Sequence, residues 1–188
     1  MKKAFKELFR DAWNVPNVLT MFRLVLVPVF IVLYLSGHPY GALVVFCIAS
    51  LTDMLDGYIA RTTNQITAFG KLMDPLADKL LVLSALICHG IAKVFPWSAM
   101  IMVMFKDMTL IIGALFMLGK KNIVVKSNWW GKTSTCLFIA ALIAGFFHSF
   151  FASWGHPVDI WLLWMSVGLA YVAATSYLIE TIHQIKKA

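Results

Sequence analysis

Acid is scarce in this chain: nine Asp and Glu against sixteen Lys and Arg in 188 residues, with charged residues of both signs making up only 13%. A water-soluble surface normally needs about twice that share. Cysteine is scarcer still. Cys47, Cys88 and Cys136 are spread through apolar runs with no paired spacing, which excludes a disulfide framework or a cysteine zinc site and leaves them as packing residues. There is no short apolar core followed by a small-residue cleavage site, so the first apolar run is expected to stay as an anchor. No internal repeat is evident, which argues against a transporter built from inverted halves.

What is abundant is apolar. Hydrophobic residues make up 61% of the chain and the mean hydropathy is +0.81, more than a soluble helical bundle of this size can bury. The expected fold is all-α: a single domain over 1–188, an integral membrane protein with six transmembrane helices. The spans fall near 18–36, 40–60, 72–92, 97–118, 132–153 and 157–182. Punctuation separates them: SGHPYG (36–41), TTNQITAFG (62–70), KVFPW (93–97), GKKNIVVKSNWWG (119–131) and SWGHP (153–157). Residues 1–13 place Phe5, Leu8, Phe9 and Trp13 at helical spacing among basic residues, the pattern of an interfacial amphipathic helix ahead of a six-helix bundle over 14–182.

Charge orients the bundle. Lys2, Lys3, Lys6, Arg10, Arg61, Lys71, Lys120, Lys121, Lys126, Lys186 and Lys187 fall on one side, and only Lys93 on the other. By the positive-inside rule both termini are cytoplasmic. The formal net charge of +7 then reports topology and attraction to anionic lipid, and no nucleic-acid partner is implied.

Against that scarcity of acid, four of the nine acidic residues crowd into TDMLDGYIARTTNQITAFGKLMDPLADK, residues 52–79. Asp53 and Asp56 are three apart near the end of the second span; Asp74 and Asp78 are four apart at the start of the third. On a helix each spacing puts the pair on one face. A short connection makes the two spans antiparallel neighbours, so the pairs can face one another at the cytoplasmic edge. Four bare carboxylates that close would repel and resist desolvation. Hard divalent cations compensate best, and four acids suffice for two bridged Mg²⁺ or Mn²⁺ ions, an arrangement suited to phosphoryl chemistry. The bland alternative is ion pairing with Arg61, Lys71 and Lys79. Gly57, beside Asp56, and Ala60 keep that helix face shallow enough for a bulky group to approach.

The segment reads D-x-x-D-G-x-x-A-R-x8-G-x3-D-x3-D through Asp53, Asp56, Gly57, Ala60, Arg61, Gly70, Asp74 and Asp78. This resembles the signature of the CDP-alcohol phosphatidyltransferase family at every fixed position. NVPNVLTMFR (14–23) also looks like the opening of the first span in bacterial members, nearest the subgroups of cardiolipin synthases and phosphatidylglycerophosphate synthases. The resemblance implies transfer of a phosphatidyl group from a CDP-linked donor to an alcohol, with CMP leaving. It implies that Asp53, Asp56, Asp74 and Asp78 hold the two metal ions and that Asp78 is the general base. Asn17, Thr20, Asp56, Gly57, Ala60, Arg61 and Gly70 would attend the nucleotide. The setting would be a bacterial cytoplasmic membrane with the active site facing the cytoplasm, and family members often form homodimers.

The acceptor is left to other residues. A glycerol 3-phosphate site holds a dianion, best gripped by arginine forks. Here the fourth span carries Phe105-Lys106-Asp107 with no later arginine, and the fifth opens Gly131-Lys132-Thr133-Ser134-Thr135, with serine where related synthases place a second lysine. With Arg23, Lys106, Asp107 and Lys132 as the acceptor-binding set, the thinned charge points first to phosphatidylglycerol, giving cardiolipin. Glycerol 3-phosphate is the alternative, and inositol phosphate or serine are further ones. A small cation transporter, a reading from another class, fails on location: the acids gather at one edge instead of the midplane.

Overall fold

A computed structural model of the chain describes residues 14–62, 68–118 and 129–187. Every regular element among them is a helix: α1 Val15–Leu35, α2 Pro39–Thr62, α3 Ala68–Ile91, α4 Trp97–Leu118, α5 Trp129–Gly145, α6 His148–Ser153 and α7 Val158–Lys187. The expected amphipathic helix at 1–13, the polar connection at 63–67 and most of the basic connection at 119–128 lie outside the described residues. Two helices, α1 from Asn17 and α7 as far as Ser176, are apolar over a length sufficient to cross a membrane. The chain divides into two compact units, 1–88 and 89–188, with the boundary inside α3.

In the first unit α1 packs along α2. One face of α1 is buried: Asn17, Thr20, Arg23, Val27, Phe30 and Tyr34, the steps of three and four that keep side chains on one line of a helix. Ala42, Phe46, Ala49 and Thr52 do the same on α2. The rings of Phe30 and Phe46 meet with centroids 6.1 Å apart. The hairpin between the helices is closed by Gly37 at φ +81°, a left-handed position that glycine takes without steric cost. The His38 amide reaches back to the Leu33 carbonyl at 3.0 Å and completes the cap. The remaining faces are apolar and open: Val25, Val32, Val44 and Leu51 are each more than half exposed, a surface suited to lipid rather than to water.

In the second unit α5 and α4 both pack on α7. Small residues permit the approach: Ser134 and Ala141 are buried on α5, and Leu163, Ser166, Val167, Ala170 and Ala173 on α7. His89, at the end of α3, is fully buried, with its ring stacked on Phe95 and met edge-on by Phe146, both centroids 4.8 Å away. Met100 joins this core, whereas Met104 and Met108 are exposed. The cysteines are free.

The expected span 132–153 is not one continuous helix. It breaks between Gly145 and His148, where the Phe146 and Phe147 amides reach carbonyls only three residues back, the tighter winding of a helix end. The break turns His148 toward α7, where its Nδ1 lies 2.7 Å from Oδ2 of the wholly buried Asp159.

Candidate functional site

Asp53 stands on α2 one residue after the buried face ends, and its side chain is 41% exposed. Its Oδ1 is 2.5 Å from Nη1 of Arg23 on α1, and Arg23 is wholly buried. The contact follows from the register of the hairpin. Arg23 lies two turns before Phe30 and Asp53 two turns after Phe46, so on antiparallel helices the Phe30–Phe46 contact brings the charged pair together as well. Asn17 and Thr20 share the buried face of α1 with Arg23. The first helix thus changes character along one line: polar over its first three turns, apolar from Val27 onward.

The second pair opens α3. Asp78 is exposed there, as is Lys79. Asp56, Gly57, Ala60 and Arg61 belong to α2, and Gly70 and Asp74 to α3, but their side chains lie outside the described residues. So does Asp107. Among the described residues no three His, Cys, Asp or Glu side chains come together, as must be so with two of the four aspartates not among them. The donors are carboxylate oxygens throughout, the chemistry that suits a hard divalent cation, and the open side of Asp53 is accessible to one.

A shallow cleft lies within the second unit. Lys106 of α4 lines it with Ser134 of α5 and with Ser166 and Tyr171 of α7; Met102, Val103, Phe138, Val167 and Ala170 form its apolar wall. Ser134 donates to the Ser166 carbonyl at 3.0 Å and Ser166 to the Leu163 carbonyl at 2.7 Å. Both hydroxyls spend their proton inside the protein and keep acceptor lone pairs. Lys132 is not in this cleft: it is exposed, with Nζ 5.9 Å from the ring centre of Trp129, within reach of a cation–π attraction. Ser166 and Tyr171 carry no motif. The one available signal is a hydroxyl at helical spacing inside an apolar run, which is weak.

A family model described as CDP-alcohol phosphatidyltransferase matches residues 13–172. Two curated relatives, from Shigella flexneri serotype 5b (strain 8401) and Escherichia coli (strain K12), are each 34% identical to this chain, covering 86% of it and 87% of their own length. Each is described as a CDP-diacylglycerol--glycerol-3-phosphate 3-phosphatidyltransferase. Those descriptions favour glycerol 3-phosphate, the alternative acceptor of the sequence reading. They name neither phosphatidylglycerol, its first choice, nor a dimer.

Proposed function

This chain belongs to the CDP-alcohol phosphatidyltransferase family, and from that premise we propose that it transfers a phosphatidyl group from CDP-diacylglycerol to a hydroxyl of glycerol 3-phosphate, releasing CMP and leaving phosphatidylglycerophosphate. The observation that carries the acceptor is the 34% identity, spread along most of both chains, to relatives so described. The scarcity of arginine does not weigh against it. One lysine among hydroxyls offers a small phosphate both charge and directional partners.

In the reaction the acceptor oxygen bonds to the phosphorus that carries diacylglycerol, and the bond from that phosphorus to the CMP oxygen breaks. Asp53, Asp56, Asp74 and Asp78 would hold two divalent cations, Mg²⁺ or Mn²⁺; bound there, these neutralise charge on the diphosphate and on departing CMP. Asp78 takes the proton of the acceptor hydroxyl. Gly57 and Ala60 leave room for the nucleotide, with Asn17, Thr20, Arg61 and Gly70 beside it. Lys106 receives the acceptor phosphate; Asp107 follows it on α4 and Lys132 stands in the first turn of α5.

The same reading makes residues 1–188 one domain that crosses a bacterial cytoplasmic membrane six times, both termini inside and the aspartates facing the cytoplasm. Helices α1, α2, α3 and α4 run 21, 24, 24 and 22 residues, α7 runs 30, and α5 and α6 together make the fifth crossing. Each exceeds the roughly 20 residues that span the hydrocarbon layer.

The test is a choice of acceptor. Protein purified in detergent receives CDP-diacylglycerol and Mg²⁺ or Mn²⁺, with glycerol 3-phosphate or phosphatidylglycerol, and CMP release is followed. Release is expected with glycerol 3-phosphate and is expected to stop with EDTA. Release with phosphatidylglycerol alone, with cardiolipin as product, would overturn the acceptor and return the reading to a cardiolipin synthase.

A further inference from the structure

The buried guanidinium on α1 is the feature that the reaction, as derived so far, does not use. A wholly buried arginine is costly unless a carboxylate answers it. Here the carboxylate that answers belongs to the aspartate cluster: Nη1 is 2.5 Å from Asp53 Oδ1. The arrangement is asymmetric. Arg23 has no exposed surface, whereas the Asp53 side chain is 41% exposed. One oxygen is tied to the protein while the group as a whole remains open on its other side.

We propose that Arg23 is a positioning residue for Asp53: it fixes the carboxylate's orientation before any divalent cation arrives and supplies countercharge to the aspartate cluster while the cluster is empty. The proposal rests on the reading of the four aspartates as cation ligands. It assigns Arg23 to the donor side of the chemistry, away from the acceptor phosphate to which the sequence pointed. Two physical consequences follow. Without Arg23, Asp53 samples other rotamers and the like charges of Asp56, Asp74 and Asp78 act on it uncompensated, so an incoming cation must order the ligand as well as bind it. Outer partners that orient a metal ligand are typically worth 10–100-fold in metal affinity. And because the pair is wholly buried on the Arg23 side, Asp53→Asn removes a carboxylate that a buried guanidinium contacts, at a cost to stability.

The experiment uses the full chain in detergent, stripped with EDTA, with Mn²⁺ alone as the probe. Binding is followed by the electron paramagnetic resonance signal of free Mn²⁺, and melting is recorded in EDTA. Arg23→Gln is expected to weaken Mn²⁺ binding about ten-fold or more, with Arg23→Lys in between, since an ammonium keeps the charge and loses the fork. In EDTA Asp53→Asn is expected to lower the melting point, and Arg23→Gln/Asp53→Asn to recover part of the loss. A lower melting point for Arg23→Gln with unchanged Mn²⁺ affinity would reduce Arg23 to a structural ion pair and overturn the proposal. Tighter Mn²⁺ binding would make Arg23 a competitor of the cation and overturn it too. If Arg23→Gln does not fold, Arg23→Lys carries the same readout. No lipid or acceptor enters the assay, so an error in the acceptor leaves the result standing. Failure of the unaltered protein to bind Mn²⁺ would remove the cation-site reading and the proposal together.

Discussion

Asp78 and Asp53 belong to one motif but sit in different surroundings, and the difference sets what each substitution does. Asp78 is exposed on α3, and asparagine matches its shape there. Asp78→Asn is therefore expected to lower kcat by about 10²–10⁴-fold, the range for loss of a general base, with a melting point close to that of the unaltered protein. Steady-state CMP release and a thermal melt in the same detergent check both halves; retention of most activity would remove Asp78 from the base role. Asp53 cannot be treated so lightly, because a buried arginine depends on it. The four acids stand out by spacing alone as a candidate site, since i, i+3 and i, i+4 pairs of carboxylates in an apolar chain have few bland explanations. The partner of Asp53 was overlooked, although the hairpin register contains it: the turn at Gly37 fixes which residues of α1 and α2 lie opposite.

The helix ends show which local rules hold and where they bend. The expected turns after the first, third and fifth spans are all present, and all three use a left-handed residue: Gly37 at φ +81°, Lys93 at φ +57° and Gly155 at φ +72°. Two are glycines, as this geometry prefers. Lys93 is not, yet its amide and that of Val94 return to the Gly90 and His89 carbonyls at 3.0 and 2.9 Å, so the cap forms despite the side chain. A left-handed conformation costs an ordinary residue about 1–2 kcal/mol, partly offset for glycine by its greater freedom when unfolded. Lys93→Gly is therefore expected to raise stability by up to about 1 kcal/mol, measured as a higher melting point at unchanged activity; a lower melting point would mean that the lysine side chain makes a contact worth more than the strain. The break between α5 and α6 was not read from the run LFIAALIAGFFHSFF, where Gly145, His148 and Ser149 are the only departures from apolarity. It arises from partners distant in sequence: His89 presses against Gly145, and Asp159 draws His148 to itself.

At the scale of the molecule, the outward apolar faces separate a lipid-bound protein from a soluble one. Val25, near the middle of α1, is 62% exposed. On a soluble protein a surface change there would fall within about ±0.5 kcal/mol. In a membrane a charge at the centre of a span costs about 2.5–3.5 kcal/mol on insertion scales. Val25→Lys is accordingly expected to reduce membrane insertion of the first span several-fold, read by a reporter of translocated versus retained chain, while Val25→Leu leaves it unchanged. Equal insertion of both variants would count against α1 as a crossing.

Taken alone, the sequence determined the helical class, most helix boundaries to within a few residues, three of the turns and the family. Each of these depends on neighbours within one or two turns, or on a fixed local pattern, and such information is written consecutively along the chain. Tertiary structure decided that Arg23 meets Asp53, that Lys106 shares a cleft with Ser166 and Tyr171 while Lys132 lies over Trp129, and that the fifth apolar run bends at Gly145. Those depend on which faces of different helices touch. A side chain's partner across a helix pair is set by crossing and register, and a long basic side chain has several anions or rings within reach until packing removes all but one.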